Sequence, residues 1–312
     1  MGTPEFAVPS LEALLHHDYL VPVVVTSPDK PAGRGRKIKA SPVKEYALKN
    51  RLNILQPKNL KDPVFISELE KLGINLIVVV AFRMLPEAVW RFPEYGTFNL
   101  HASLLPRYRG AAPINWAIIN GEKTTGLTTF FIDEKIDTGN IILQEQVQIR
   151  DHDTAGDLHD RMMEQGAALV IETVKLIEQN TAKTKRQDQL VSKPDQLKPA
   201  PKLQREDLKI DWAQDVNSIY NFIRGLSPYP AAFSSLVSPE GKKYHLKILY
   251  GKPVEDCRLA PAHIATNNKS FIKVGCNPGC LEITHLQLAG KKPLPVKEFL
   301  KGFQLSGNWK LS

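Results

Sequence analysis

Asp62-Pro63-Val64-Phe65-Ile66-Ser67-Glu68-Leu69-Glu70-Lys71-Leu72-Gly73, continuing into Ile74-Asn75-Leu76-Ile77-Val78-Val79-Val80-Ala81, is the stretch from which the fold can be read. Asp62 is an N-capping type, and Pro63 suits the first helical position, where its missing N–H costs nothing. Phe65, Ile66, Leu69 and Leu72 recur at the helical period, and Gly73 closes the helix. Leu76 to Ala81 is then apolar without alternation, which predicts a strand covered on both faces, as in a parallel sheet.

Upstream the same grammar recurs. Ser41-Pro42 marks a second helix start. Val8, Leu11, Leu14 and Leu15 follow a helical period, and Tyr19 to Thr26 is a β-branched run that predicts a strand. Strand and helix signals alternate through the first two thirds of the chain, so the fold class is α/β, a doubly wound, Rossmann-like domain. Such a domain opens with a buried strand feeding its first glycine-containing turn, yet Gly2-Thr3-Pro4 follows Met1 directly. Either the start is assigned too late or the chain is truncated; if the strand is truly absent, the sheet loses a central member and its neighbours expose unpaired backbone groups.

Downstream, Gly96 to Leu100 reads as a strand that runs out into Phe98-Asn99-Leu100-His101-Ala102-Ser103-Leu104-Leu105-Pro106-Arg107-Tyr108-Arg109-Gly110. Side chains alternate along a strand, so Asn99 and His101 share a face at the sheet edge where ligands settle. An amide donor beside a group that titrates near neutrality suits acyl transfer, which needs a partner for a developing oxyanion and a carrier for protons. Asp137-Thr138-Gly139 lies in a loop, Ile132 to Gly139, between the apolar runs Leu127–Ile132 and Ile141–Val147. Asp137 could reach back to His101 from there. The other histidines, and Asp137 taken singly, are as readily explained as satisfied polar groups or an Asx turn.

A long helix is predicted from Thr154 to Gln179, then a polar segment with Pro194, Pro199 and Pro201 that reads as a linker. Beyond it lie a helical stretch, Asp215 to Arg224, and strand-like runs at Tyr244–Tyr250, Ser270–Val274 and Cys280–Leu288. The expected division is a first domain over 1–180, a linker over 181–205 and a small β-rich domain over 206–312. A length of 312 residues, 42% hydrophobic and 24% charged, suits two domains with apolar interiors. No apolar run approaches a membrane span and no signal peptide is recognised, so a cytoplasmic location is expected. Of the net charge of +8, a share of +7 falls from Pro201 onward, with 16 Lys and Arg against 9 Asp and Glu. A polyanion finds such a surface attractive. Cys257, Cys276 and Cys280 are odd in number and are expected to stay reduced around a turn, Cys276 to Cys280. With no second Cys or His pair at zinc-like spacing, no metal site is expected.

Phe98 to Gly110, with Ala111-Ala112-Pro113-Ile114 after it, the Asp137-Thr138-Gly139 loop, the opening Gly2-Thr3-Pro4-Glu5-Phe6-Ala7 and the loop Pro28-Asp29-Lys30-Pro31-Ala32-Gly33-Arg34-Gly35-Arg36-Lys37, resembles the folate-dependent formyltransferases along essentially the whole chain. The resemblance is greatest to members that act on aminoacylated initiator tRNA. It implies a C-terminal barrel of the oligonucleotide-binding (OB) type. It further implies transfer of a formyl group from N10 of 10-formyltetrahydrofolate to the α-amino group of methionine on initiator tRNA, by a monomer that needs no metal. Asn99, His101 and Asp137 would be catalytic, the first two hydrogen-bonding the oxyanion and Asp137 orienting His101. Ser103, Leu104, Leu105 and Pro106 would line the folate site, with Arg83 to Pro86, notably Arg83 and Leu85, as another wall. Arg34, Arg36 and Lys37 would meet the tRNA. Arg109 has three open roles: a tRNA contact, a folate carboxylate contact, or an ion pair with a nearby Asp or Glu.

A formyltransferase acting on an aminosugar nucleotide, or a noncatalytic tRNA-binding relative, are the competing readings. Neutralising Arg34 is expected to weaken use of a polyanionic substrate and to flatten its salt dependence. Kinetics that keep their salt dependence would remove this loop from the interface.

Overall fold

The computed structural model describes residues 1–32, 37–190 and 197–312. Helices α1 (Val8–His16), α2 (Pro42–Lys49), α3 (Pro63–Lys71), α4 (Glu87–Trp90), α5 (Pro113–Ile119), α6 (Ala155–Glu178), α7 (Val216–Leu226) and α8 (Val296–Gly302) are interspersed with fifteen described strands. In the first half these are β1 (Val24–Val25), β2 (Lys30–Ala32), β3 (Lys37–Lys39), β4 (Ile54–Leu55), β5 (Ile77–Val80), β6 (Thr97–His101), β7 (Thr124–Phe131) and β8 (Ile141–Gln148). The remainder are β9 (Ala232–Val237), β10 (Lys243–Val254), β11 (Ile264–Thr266), β12 (Ile272–Gly275), β13 (Cys280–Leu288), β14 (Leu294–Pro295) and β15 (Lys310–Leu311).

Two compact units result. One comprises Met1–Gly110, Thr124–Gln148 and His159–Ala200, the other Ala111–Lys123, Ile149–Leu158 and Pro201–Ser312. The second unit thus borrows two pieces from early in the chain. Asn115 Nδ2 on α5 donates to Gly225 O at 2.7 Å, and Trp116 Nε1 donates to Pro201 O at 2.8 Å. Arg224 Nη1 donates to Asp153 O at 2.9 Å. The segment expected as a linker is itself engaged with the first unit: Lys185 and Ile141 exchange both backbone hydrogen bonds, and Ala200 N donates to Arg109 O.

In the first unit β5 pairs parallel with β6, and β6 and β8 flank β7 antiparallel. The helix starts follow the sequence signals, with Ser41 Oγ accepting from Lys44 N and Asp62 Oδ1 from Val64 N. Gly73 takes φ +63°, as its closing role requires. Val25, Phe65, Leu69, Ile77, Val79, Leu85 and Val89 form one apolar core.

The strand predicted over Tyr19–Thr26 is reduced to Val24–Val25, which pairs parallel with β4. Leu20 is 89% exposed. The physical reason is the lack of partners: β4 is two residues long, and on the other side Met1 and Gly2 reach only as far as Val25. Gly2 N donates to Val25 O, Val80 N donates to Met1 O and the Met1 amine donates to Val78 O. Met1 and Gly2 therefore lie between β1 and β5 in parallel register with Val80. Below them the facing segments Leu20–Val25 and Ile74–Val78 line an apolar cavity of about 360 Å³. Burial among these side chains brings the Met1 amine down to about 5.

The second unit is a barrel. Its strands run in the order β11, β12, β13, β10, β9, β15, with β14 added on β13. Leu311 N donates to Ala262 O and His263 pairs with Lys310, which returns the last strand to the first and all but closes the sheet. This is the OB-like form implied by the resemblance. Helix α7 is capped by Asp215 and sends Val216, Ile219, Ile223 and Leu226 into the barrel core beside Trp212, Leu236, Ile248 and Leu281.

One expectation is corrected here. Cys257 and Cys280 are joined in a disulfide, Cα atoms 5.6 Å apart. Their distance along the chain concealed this, but β10 pairs with β13 so that Val254 faces Cys280, and Cys257 follows three residues later. Cys276 keeps its thiol, which burial pushes up to about 11.

Candidate active site

The site is built on β6. Leu100 turns toward α6, so closely that a Cβ on Gly166 would lie 2.7 Å from Leu100 Cδ2. Thr129 and Thr173 share a buried 2.8 Å hydrogen bond between β7 and α6. Alternation then sends Asn99 and His101 to the opposite face, level with Phe130 and Thr128 of β7.

His101 is 6% exposed. Its Nε2 lies 2.9 Å from Tyr108 O. A carbonyl only accepts, so Nε2 carries the proton and Nδ1 is the nitrogen that faces Asp137. The Nδ1 to Oδ2 separation is 3.8 Å, an ion-pair distance and too long for a hydrogen bond. The Asp137 carboxylate is anchored by Gly110 N–H, which donates to Oδ2 at 2.9 Å. Asn99 Oδ1 is buried and has no hydrogen-bond partner.

Asp137 sits in the β7–β8 loop with φ +54°, a left-handed conformation that Asp tolerates better than most residues. Thr138 Oγ1 donates to Asp133 Oδ1 at 2.7 Å within the same loop. At Gly139 a Cβ would fall 1.7 Å from Phe131 O, so only glycine permits the loop to fold this tightly against β7.

The turn after β6 is pinned from inside. Ser103 is fully buried and its hydroxyl donates to Arg107 O at 2.7 Å. Thr128 Oγ1 donates to Ser103 O and accepts from Leu105 N, while Gln144 Nε2 donates to Leu105 O. Leu105 packs with Phe130 and Ile141. The side chains of Ser103 and Leu105, together with their backbone groups bonded to Thr128 and Gln144, thus hold the turn from inside. Arg83 donates from Nη1 and Nη2 to Lys58 O and Pro57 O, and Leu85 is in the apolar core. Arg34 and Arg36 lie outside the described residues, and Lys37 enters as the first residue of β3.

Arg109 has a partner that sequence reasoning missed. Its Nε and Nη2 both donate to Gln187 Oε1, at 3.1 and 2.7 Å. Burial pulls the guanidinium below its ordinary value, against the opposing field of Asp137 and Asp133. Thr128 and Gln144 were also missed. Only their strand alternation marked them, and Gln187 sits in a polar run with no periodic signal.

A doubly wound domain with Asn and His at the end of one strand and Asp on a neighbouring loop, followed by a basic barrel, narrows the comparison to group-transfer enzymes. Residues 1–174 match the family described as formyl transferase, and residues 202–304 match formyl transferase, C-terminal domain. The chain belongs to the formyl transferase family. The methionyl-tRNA formyltransferase of Bacteroides fragilis is 51% identical over 312 residues, covering 100% of this chain and 96% of that protein. The Flavobacterium johnsoniae methionyl-tRNA formyltransferase is 50% identical over 311 residues, 100% and 97% of the two chains. Among solved structures, the sugar 3N-formyl transferase WlaRD, in the presence of dTDP and 5-N-formyl-THF, superposes with a TM-score of 0.64 at 22% identity over 93% of this chain and 97% of that one. That likeness is one of fold.

Gly139→Ala must displace the Asp137 loop. Turnover is expected to fall by about two orders of magnitude, the scale of a 1 Å misplacement. Unchanged turnover in steady-state assays would show that the loop does not place a reacting group.

Proposed function

We propose that this chain transfers the formyl group of 10-formyltetrahydrofolate to the α-amino group of methionine carried by initiator tRNA. The observation that carries the reading is identity of about one residue in two with methionyl-tRNA formyltransferases along the whole chain, barrel included. Sugar formyltransferases share the fold at 22 to 23% identity, which does not extend to substrate.

The chemistry follows from the atoms on the site face. The amine attacks the formyl carbon, a C–N bond forms and the carbonyl oxygen takes up negative charge. Asn99 Nδ2 donates to that oxygen; Nε2–H of His101 is held by Tyr108 O, so His101 donates to it from Nδ1 once that nitrogen has taken up the amine proton. A donor of this kind is worth about 2.7 to 4 kcal/mol of barrier. The unpartnered Asn99 Oδ1 fits a bound substrate, because an N–H of the attacking amine would satisfy it. Collapse of the adduct breaks the bond to N10, and the proton lost by the amine passes to N10 by way of His101 and Asp137. The backbone of Ser103–Pro106 and of Arg83–Pro86 would border the flat folate ring, while Ser103 and Leu105 keep their side chains inside.

In this reading residues 1–180 bind folate and catalyse, and 206–312, which lies within the stretch from Pro201 onward that carries +7 of the net +8, takes the tRNA with help from Arg34, Arg36 and Lys37. The protein acts as a cytoplasmic monomer.

The test is incubation with methionyl initiator tRNA and 10-formyltetrahydrofolate, with detection of N-formylmethionine, and a parallel incubation with a dTDP-aminosugar. Formylation of the sugar and none of the tRNA would sink the reading. His101→Ala should cut formylation by about 10²- to 10⁴-fold while tRNA binding, followed by filter retention, persists. Near-normal turnover by this variant would remove His101 from the chemistry.

A further inference from the structure

The geometry assigns Gln187 as a positioning residue that holds Asp137 in place beside His101. This rests on the catalytic reading of Asp137 and His101 given above, and deepens it.

Gln187 lies in the 3₁₀ turn Gln187–Leu190, outside the sheet and 2% exposed. A carboxamide offers two donor hydrogens and two acceptor lone pairs. All four are used. Nε2 donates to Asp137 O at 3.0 Å and to Gly139 O at 2.8 Å, the two carbonyls that bracket Thr138 at the tip of the loop. Oε1 accepts twice from Arg109, the residue next to Gly110, whose N–H holds the Asp137 carboxylate. One side chain therefore grips both walls of the carboxylate: the loop that carries Asp137 and the backbone that anchors its Oδ2.

The grip is itself anchored. Lys185 and Ile141 exchange both backbone bonds two residues away, where β8 begins. Asp137 occupies a left-handed backbone conformation that a short loop holds only when its surroundings over-determine it. Without the Gln187 amide, the Asp137 and Gly139 carbonyls lose their donor and the loop can relax away from His101, widening a separation that is already 3.8 Å. A neutral side chain suits this task. A glutamate would keep the two Arg109 bonds, now charge-assisted, and would turn acceptor oxygens toward the two carbonyls.

Gln187→Ala and Gln187→Glu are compared with Asp137→Asn and with each double variant, by kcat, by KM for both substrates, by the pH dependence of kcat and by Tm. Gln187→Ala should lower kcat by about 10- to 100-fold, leave both KM values within about twofold, and move the pH profile of kcat toward that of Asp137→Asn. Gln187→Glu should lose kcat comparably and also lower Tm, because its carboxylate faces two carbonyl oxygens although Arg109 remains paired. In the Asp137→Asn background the Gln187 substitutions should cost little more, because the two residues act as one unit. A loss of the same size with Asp137 already removed, or an unaltered pH profile, would overturn the assignment and leave Gln187 a folding residue. If Asp137→Asn itself retained full kcat, the catalytic reading would fall first, and this assignment with it.

Discussion

Strand β6 is paired on both sides, parallel to β5 and antiparallel to β7, and that double pairing is the constraint on which the site depends. A slip of one residue would exchange the two faces of the strand. It would bury Asn99 and His101 under α6 and expose Leu100. The close approach of Gly166 to Leu100 and the Thr129–Thr173 hydrogen bond make α6 complementary to one register. Apolar packing on one face thus fixes polar chemistry on the other.

Around that face the polar groups are mostly spent on one another. Thr128 serves Ser103 and Leu105, Gln144 serves Leu105, Ser103 serves Arg107, and Tyr108 O accepts from His101 Nε2–H. Buried polar groups left unmatched are costly, so a network of this density rigidifies the turn. Among the described residues a few buried polar atoms have no such partner, Asn99 Oδ1 and Arg83 Nε among them.

The barrel obeys a different logic. Its stability comes from inward side chains of β9, β10, β12 and β13 closing over α7. The Cys257–Cys280 disulfide shows how far register outranks sequence distance: 23 residues along the chain become 5.6 Å between Cα atoms once β10 and β13 pair.

Much of this was legible in the sequence because the signals are local. Caps at Ser41 and Asp62, the stripe ending at Gly73, the buried run at Ile77–Val80 and the two-residue spacing of Asn99 and His101 depend only on neighbours along the chain. The Asp137 loop was legible for the same reason. The strand over Tyr19–Thr26 shrank to two residues because a strand needs partners, and its own sequence says nothing of what lies beside it. The same blindness hid the disulfide and Gln187, whose role comes from carbonyls 48 and 50 positions away. Short-range periodicity decided the helices, the strands and the residue types offered for catalysis. Only tertiary structure decided which long-range partners those residues met, because pairing across the sheet and burial of polar groups are set by what folding brings together.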